Sequence, residues 1–391
     1  MYIDYTPEQV SLQNDIRAYV AALMDDDLRA ELSAREAGGP RYKAALRRMG
    51  GDGWLCLGWP TEWGGRGLGP MEQFIFFDEV HRVGFPIPLL TINTVGPTLM
   101  KYGTPAQKSE FLPRIVRGEL EFSIGYTEPS AGTDLASLTT RAVRDGDDYV
   151  ITGQKVFCSL AEYTDYLWLA CRTNTEVAKH EGISVLIVPM RAPGVSITPI
   201  ENLGDASLSA VYLDDVRVPA TSVVGRLDGG WRLITSQLNH ERVALMMVGP
   251  LARHLREVTA WAAAHEAEEG IRVLDLPWVR ASLAHLDARI EVLRLLNWRQ
   301  AWNLAHGQLQ MHEASTLKVY GSELYVEAYR LLNEVLGAAG ALRADSPGVL
   351  LRGELERYSR AMLVLTFGGG VNEVQRDIIS AAALGLPRAR R

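Results

Sequence analysis

The sequence predicts an α+β protein in which a β-rich segment separates two helical ones. Helical patterns fill residues 1–121, short β-rich runs with turn signals between them fill 122–228, and long helical stripes fill 229–391. A chain of 391 residues, 47% of them hydrophobic, is long enough for two or three packed domains. No βαβ alternation is visible and no GxGxxG run follows a strand, which argues against a doubly wound dinucleotide-binding fold.

The N-terminal segment reads as a set of helices. Thr6-Pro7-Glu8 supplies a cap, a first-turn proline and an early acid, and apolar residues then recur at helical spacing as far as Leu23. Glycine and proline cluster between Gly50 and Pro70, which indicates a loop-rich stretch. Helical patterns resume at Met71–Val83 and around Lys108–Val116.

The middle and C-terminal segments differ in the lengths of their elements. Short strands are predicted at Tyr149–Thr152, Tyr166–Ala170, Ile183–Val188 and Ala210–Leu213, which is typical of a small β-barrel or sandwich. Long apolar stripes cover Trp231–His265, Pro277–Ala305 and Glu313–Leu336, followed by a helix from about Ser346 that is interrupted at Gly368–Gly370 and resumes at Asn372. Helices of these lengths predict an antiparallel four-helix bundle.

Composition excludes several classes of protein. With 40 Lys and Arg against 47 Asp and Glu, the formal charge is −7, which disfavours a nucleic-acid binder. Cys56, Cys158 and Cys171 lie far apart without a CxxC pair, so we expect neither a disulfide framework nor a cysteine metal site, and a reducing, cytoplasmic location. The acidic N-terminus lacks signal-peptide character, and no apolar run of about 18 residues predicts a membrane span.

Two segments carry the most specific chemistry. Tyr126–Asp134 reads YTEPSAGTD, a run of small and hydroxyl residues whose backbone could approach a ligand closely. Gly153–Ser159 reads GQKVFCS, where an aromatic and a hydroxyl could contact a flat heterocycle. Each segment alone also fits an ordinary polar loop or a strand with one buried aromatic.

Together the two segments resemble the acyl-CoA dehydrogenase family of flavoproteins. That family carries a TEPxAGSD-like loop and, about twenty residues later, a GxKxWITN-like strand, where this chain has TEPSAGTD and GQKVFCSL. Near the C-terminus, residues 372–376 (NEVQR) are similar to the family's TNEIQR ending. The resemblance implies the acyl-CoA dehydrogenase fold, an FAD cofactor and an acyl-CoA substrate.

The resemblance also assigns residues to the FAD site. Tyr126 and Thr127 match positions that meet the flavin ring, and Thr133 matches a hydroxyl residue near the pyrophosphate. Phe157 matches the usual Trp beside the flavin, and Ser159 the usual Thr near its N5. The full implied set of cofactor-binding residues is Tyr126, Thr127, Thr133, Phe157, Cys158, Ser159, Gly369, Val371 and Glu373.

The catalytic base of many family members is absent from its usual place. Aligning the C-terminal motif puts Gly369 where the family often has Glu. An alternative base position on the first long C-terminal helix holds Glu241, followed by Arg242, an arginine common in the family. His240 lies about 100° round the helix from Glu241 and is interpreted as packing or polar support.

The resemblance implies a definite division of labour in the reaction. Glu241 removes the α-proton. Hydrogen bonds to the thioester oxygen stabilise the enolate, and one of them comes from the Gly369 N–H. FAD N5 takes the β-hydride. Burial against the substrate is expected to raise the pKa of Glu241 toward neutrality.

Two further family motifs are degraded. With these motifs, family members usually complete the FAD site of a neighbouring subunit. In this chain Glu266 and Glu269 stand where an RxxFG-like run has Arg and Phe, and Glu334 stands where a QxxGGxG-like run has Gln. Carboxylates repel a pyrophosphate. We therefore expect a related partner subunit to complete the FAD site in an α2β2 heterotetramer. Such an asymmetry resembles the heteromeric actinobacterial dehydrogenases of steroid (cholesterol) side chains. The resemblance to their base-bearing subunit extends through the stretches GWLCLGWPTEWGG, LNHERVALMMVGP and LTFGGGVNEVQRDII.

An electron-transfer flavoprotein is the electron acceptor that the resemblance implies. Two alternatives stay open at this point. One is a flavin oxidase or monooxygenase on the same fold, and the other is a non-catalytic scaffold subunit of a heteromeric dehydrogenase.

Overall fold

The predicted α+β class is confirmed by the structure, a computed structural model. It describes residues 4–34, 37–241, 246–308 and 310–387, and the side chains of 34 and 238–241 are not part of that description. Glu241 is thus described only by its backbone, and the predicted Arg242 lies outside the described residues.

The N-terminal part is helical, as predicted. The helices are α1 (Pro7–Leu23), α2 (Asp26–Ala34), α3 (Pro40–Gly51), α4 (Pro70–Arg82), α5 (Gly96–Tyr102) and α6 (Pro105–Val116). Helix α1 begins with the predicted cap, since the Thr6 hydroxyl accepts from the Gln9 N–H at 3.3 Å and Gln9 Oε1 accepts from the Thr6 N–H at 3.1 Å. A π-helix, Leu90–Val95, leads into α5.

The middle part is one sheet of eight strands. They are β1 (Phe122–Gly125), β2 (Arg141–Asp145), β3 (Asp148–Ser159), β4 (Tyr166–Arg172), β5 (Ile183–Pro189), β6 (Val195–Pro199), β7 (Leu208–Pro219) and β8 (Val223–Val224). Their order is β6-β7-β3-β2-β4-β5-β8, and β1 pairs in parallel with β4. Strands β2 and β4 pair at a single position, Arg141 opposite Arg172, so the sheet is joined only loosely there.

The C-terminal part is again helical. Its elements are α7 (Gly230–Glu241), α8 (Gly249–Ala264), β9 (Glu266–Glu268), β10 (Ile271–Arg272), α9 (Pro277–Ala305), α10 (Met311–Leu336), α11 (Glu354–Ala361) and α12 (Asn372–Ala382). Two expectations need correction. The stripe over 231–265 belongs to two helices, and the last helical region begins at Glu354, because Gly348 and Gly353 adopt left-handed φ values of 77° and 69°.

Two hydrophobic cores meet at strand β4. Leu167 and Leu169 face a core inside the middle sheet, whereas Trp168 and Ala170 face a larger core that joins the sheet to the helices. Leu233 of α7 lies in that larger core. Helix α7 is therefore packed against the sheet on the side where the loop after β1 emerges.

Among the described residues, no helix has both the length and the apolar character that a membrane crossing requires.

Candidate functional site

The loop after β1 is tied to strand β3. Glu128 and Ala131 exchange backbone hydrogen bonds of 3.0 and 3.1 Å, which close the turn around Pro129 and Ser130. The Thr127 carbonyl accepts from the Val156 N–H at 2.9 Å. The two segments that carry the family resemblance are thus neighbours in space, as a single site requires.

A buried ion pair lies beneath this loop. Lys155 Nζ is 2.8 Å from Glu128 Oε1 and 3.1 Å from the Tyr126 carbonyl oxygen, and both charged side chains are almost completely buried. Thr139 N and Oγ1 and Thr140 N also donate to the carboxylate, at 2.7–2.8 Å. Burial would raise the pKa of Glu128, but Lys155 and these hydrogen bonds outweigh it and lower the pKa to about 2. The carboxylate therefore stays ionised and holds the loop rigidly.

Phe157 is presented to the outside by an irregularity in β3. The pairing register with β7 shifts between Lys155 and Cys158, and Phe157 has a left-handed φ of 57°. Its side chain is 58% exposed, which is uncommon for Phe in a strand. The half-buried Ser159 lies two residues after Phe157, and the carbonyl of the half-buried Thr127 accepts from Val156, the residue before Phe157. An exposed aromatic beside two hydroxyl residues fits a flat heterocycle such as a flavin.

Two of the other assigned residues of this region occupy different settings. The Cys158 thiol faces the core of the middle sheet, and burial raises its pKa to about 12. Cys158 can therefore contact a ligand only through its backbone. Thr133 is exposed at the far end of the loop, beside Asp134, which pairs with Lys179 at 2.8 Å.

Helix α7 contacts the loop Tyr126–Asp134, which we call the flavin-type loop after the family motif that it carries, through Gln237. The Tyr126 hydroxyl donates to Gln237 Oε1 at 2.5 Å, and Trp168 Nε1 lies 3.3 Å from the same oxygen and 3.2 Å from the Tyr126 hydroxyl. All three side chains are buried. Glu241, the predicted base, is the last residue of α7, one helical turn after Gln237.

The predicted C-terminal site residues lie around a glycine turn. Gly369 and Gly370 have φ values of 66° and 96°, conformations that side chains disfavour. Lys318 Nζ donates at 2.7 Å to both the Gly370 carbonyl and Asn372 Oδ1. In the part of the chain that the structure describes, no backbone carbonyl accepts from the Gly369 N–H.

Helix α12 starts directly after this turn. Val371 is its N-cap residue and is half-buried, and Glu373 is exposed in its first turn. Asn372 is buried and bonds Ser322 and Glu323 of α10, which fixes the start of the helix.

The degraded motifs lie on exposed surfaces. Glu266 and Glu269 belong to the short hairpin of β9 and β10, whose turn Gly270 has a φ of 76°. Glu334 lies near the end of α10, and its carboxylate pairs with Arg330 at 2.6 Å. These carboxylates therefore face solvent in the isolated chain.

Sequence reasoning missed several residues of the site. Lys155, Gln237 and Lys318 each hold a functional segment, and none was assigned a role. No local pattern marked the two lysines as buried, since Gly153 lies two residues before Lys155 and the buried polar residues Ser315 and Ser322 lie on the same face of α10 as Lys318.

Family models confirm the resemblance. The Acyl-CoA dehydrogenase N-terminal, middle and C-terminal domains match residues 6–119, 123–216 and 228–384. The chain is 53% identical over 400 residues to the Acyl-CoA dehydrogenase FadE26 of Mycobacterium tuberculosis (strain ATCC 25618 / H37Rv), with 100% of both chains covered.

Solved structures agree over the whole chain. A chain of the ChsE4-ChsE5 complex from Mycobacterium tuberculosis matches with a TM-score of 0.94 at 54% identity, and one of the Tcur3481-Tcur3483 steroid ACAD with 0.94 at 48%, each covering 100% of both chains. The chain belongs to the acyl-CoA dehydrogenase family and is an oxidoreductase that acts on acyl-CoA.

Proposed function

We propose that this chain is the base-bearing subunit of an FAD-dependent dehydrogenase that introduces an α,β double bond into an acyl-CoA thioester whose acyl group is a steroid side chain. The observation that carries the proposal is the placement of the two base positions. Gly369 offers no side chain, while α7 ends at Glu241, one turn beyond a residue bonded to the flavin-type loop. Arg242 follows Glu241 and is proposed as part of the same catalytic segment.

The proposed chemistry removes two hydrogens as a proton and a hydride. Glu241 takes the proton from the α-carbon, and the Gly369 N–H donates to the thioester oxygen, where negative charge develops. When bound, FAD supplies the acceptor for the hydride that leaves the β-carbon. The Lys318 contact with Gly370 supports this assignment, because it holds the turn that carries the N–H.

The residues that would hold the flavin come from the loop and strand around Phe157 and from the glycine turn before α12. Phe157 provides an exposed aromatic wall, and Tyr126, Thr127 and Ser159 provide backbone and hydroxyl groups around it. Cys158 contributes through its backbone, Thr133 lies at the pyrophosphate end, and Gly369, Val371 and Glu373 approach from the C-terminal turn.

We further propose that a related subunit completes the FAD site in an α2β2 assembly. Exposed carboxylates at Glu266, Glu269 and Glu334 disfavour a pyrophosphate, so this chain does not supply those contacts to a second copy. The Tcur3481-Tcur3483 and ChsE4-ChsE5 structures are complexes of two different proteins, and the former is called a steroid ACAD. An electron-transfer flavoprotein is the proposed acceptor of the electrons.

Co-expression with a related dehydrogenase chain tests this proposal. We expect the single chain to hold far less than one FAD per chain, and the complex to hold one FAD per heterodimer. We also expect the complex to oxidise a steroid side-chain acyl-CoA faster than a linear acyl-CoA of similar length. Stoichiometric FAD and full activity in the single chain would contradict the heteromer, and a preference for the linear substrate would contradict the steroid assignment.

A further inference from the structure

Gln237 joins two parts of the molecule that the reaction must keep in register. Its Oε1 accepts from the Tyr126 hydroxyl at 2.5 Å and lies 3.3 Å from Trp168 Nε1. Tyr126 belongs to the flavin-type loop, and Trp168 to β4 beneath it. Gln237 is 2% exposed, so water does not compete for these contacts.

Helix geometry carries this contact to the proposed base. Glu241 lies four residues after Gln237, which puts its backbone about 6 Å further along α7 and on the same face. A shift of the helix at Gln237 is therefore transmitted to Glu241 almost unchanged, because one hydrogen-bonded turn separates them.

Tyr126 is itself a fixed point. Its carbonyl accepts from Lys155 Nζ at 3.1 Å, and Lys155 is held by the buried carboxylate of Glu128 at 2.8 Å. The contact chain thus runs from the buried ion pair, through both ends of Tyr126, to α7. Each link is buried and each joins residues far apart in sequence.

Residues 246–249, the next described residues after Glu241, are anchored by contacts of their own. Asp78 Oδ1 accepts from the N–H groups of Val248 and Gly249 at 2.6 and 2.7 Å. Asn297 and Tyr325 donate to the carbonyls of residues 246 and 247 at 2.9 and 2.6 Å. These contacts tie the segment to α4, α9 and α10, none of which carries a predicted flavin contact. Among the described side chains of α7, Gln237 is the one that hydrogen-bonds to the flavin-type loop.

We propose that Gln237 is a positioning residue that sets the distance between the base at the end of α7 and the flavin held by the loop at Tyr126. This inference rests on the proposed function, since it assumes that Glu241 is the base. Gln237 acts through Oε1 alone in these contacts, because within the described residues its Nε2 has no hydrogen-bond partner.

The test uses the co-expressed complex with three changes at this contact. Gln237→Met keeps the side-chain volume and removes the acceptor. Gln237→Glu keeps an acceptor oxygen for both donors, Tyr126 and Trp168. Tyr126→Phe removes the shorter contact without changing any residue of α7. For Gln237→Met we expect kcat to fall about 10- to 100-fold with KM within about threefold and FAD content unchanged. The deuterium isotope effect on kcat with α-deuterated acyl-CoA should rise, because a misplaced base slows proton removal.

Two comparisons separate positioning from simple loss of stability. Gln237→Glu should recover most of the lost kcat, and Tyr126→Phe should reproduce the direction of the Gln237→Met effect. Tyr42→Phe is the control, since the hydroxyl of Tyr42, on α3, is a buried donor to Glu121 at 3.1 Å. We expect it to lower Tm and leave kcat and the isotope effect unchanged.

The outcomes distinguish this inference from the proposal on which it rests. If Gln237→Met and Tyr126→Phe keep kcat within about twofold while Glu241→Gln abolishes turnover, the positioning role is wrong and the base assignment stands. If Glu241→Gln itself retains turnover, the proposed function fails. A fall in kcat matched by loss of FAD and by no change in the isotope effect would also overturn the positioning role.

Discussion

At the flavin-ring end of the proposed site the charges are buried and paired, whereas at the phosphate end they are exposed and of the wrong sign. Lys155 and Glu128 meet at 2.8 Å beneath the loop, with almost no surface left in contact with water. Glu266 and Glu269 stand on an exposed hairpin, and Glu334 bonds only within its own helix among the described residues. The ring end is a buried, paired part of the interior, whereas the phosphate end is an exposed acidic surface that repels the FAD pyrophosphate.

The difference shows which contacts the chain can make alone. A buried framework whose ion pair is already formed within the chain needs no charged partner from another subunit. Exposed carboxylates give no such framework to an anionic group. The ring end therefore belongs to this chain, and we infer that a partner supplies the phosphate end.

Removing the buried cation Lys155 should cause the largest loss of stability at the ring end. Lys155→Met leaves the buried Glu128 without its ion-pair partner, and we expect the free energy of unfolding to fall by about 3–5 kcal/mol in a denaturant titration. Lys179→Met is the matched control, because Lys179 pairs with Asp134 on the surface of the same loop and should cost at most about 1 kcal/mol. Equal losses in the two variants would contradict the account of the ring end.

Acid should weaken the same framework in a defined range. The folded-state pKa of Glu128 is about 2, below its usual value of 4.5, so its stabilisation is complete above pH 4.5 and is lost as the pH falls toward 2. Glu128→Gln cannot titrate. The difference in unfolding free energy between wild type and Glu128→Gln should shrink by about 3 kcal/mol across that range. A difference that is constant with pH would show that Glu128 is not held ionised.

The glycine turn near α12 offers a smaller test. Gly369→Ala puts a side chain at a φ of 66°, which should cost about 1–2 kcal/mol and displace the N–H proposed to meet the thioester. Gly385→Ala is the control, since Gly385 has the same φ of 66° and an added Cβ there would have no atom of the described residues within 4 Å. Both variants should lose similar stability, and only Gly369→Ala should lower kcat. Equal kcat in the two variants would contradict the role given to the Gly369 amide.

Restoring the family's residues at the phosphate end tests whether the carboxylates there weaken FAD binding. Glu266→Arg with Glu269→Phe replaces a repulsive charge by an attractive one on the hairpin. Because these motifs reach the FAD of a neighbouring subunit, we expect FAD binding by this chain without its related partner, titrated into the apoprotein at a concentration where two copies associate, to tighten about tenfold, or about 1.4 kcal/mol. Glu268→Arg on the same hairpin changes the charge by +2 outside the motif, against +3 for the double variant, and should have less effect. If both changes tighten binding equally, net charge rather than the motif explains the weak site.

The sequence predicted the parts of the molecule that depend on local patterns. The helix–strand–helix order follows from periodicity, and the start of α1 follows from the Thr6 cap. The loop at Tyr126 and the strand at Phe157 were placed together by resemblance, and the structure brings them into contact.

The remaining features depend on contacts between distant residues. Lys155 and Glu128 are 27 residues apart, and nothing local marks a lysine as buried. Gln237 looks like a solvent-facing helix residue until Tyr126 and Trp168 are brought against it. The apolar stripe of 231–265 continues across the boundary between α7 and α8, so periodicity alone could not show two helices.

The proposed catalytic base lies at the end of α7 and not in the C-terminal turn. The most direct test of this placement is a single-turnover measurement of flavin reduction by acyl-CoA in the co-expressed complex that carries Glu241→Gln. We expect the complex still to bind FAD and substrate while the reduction rate falls at least about a hundredfold. A rate within about twofold of wild type would place the base elsewhere.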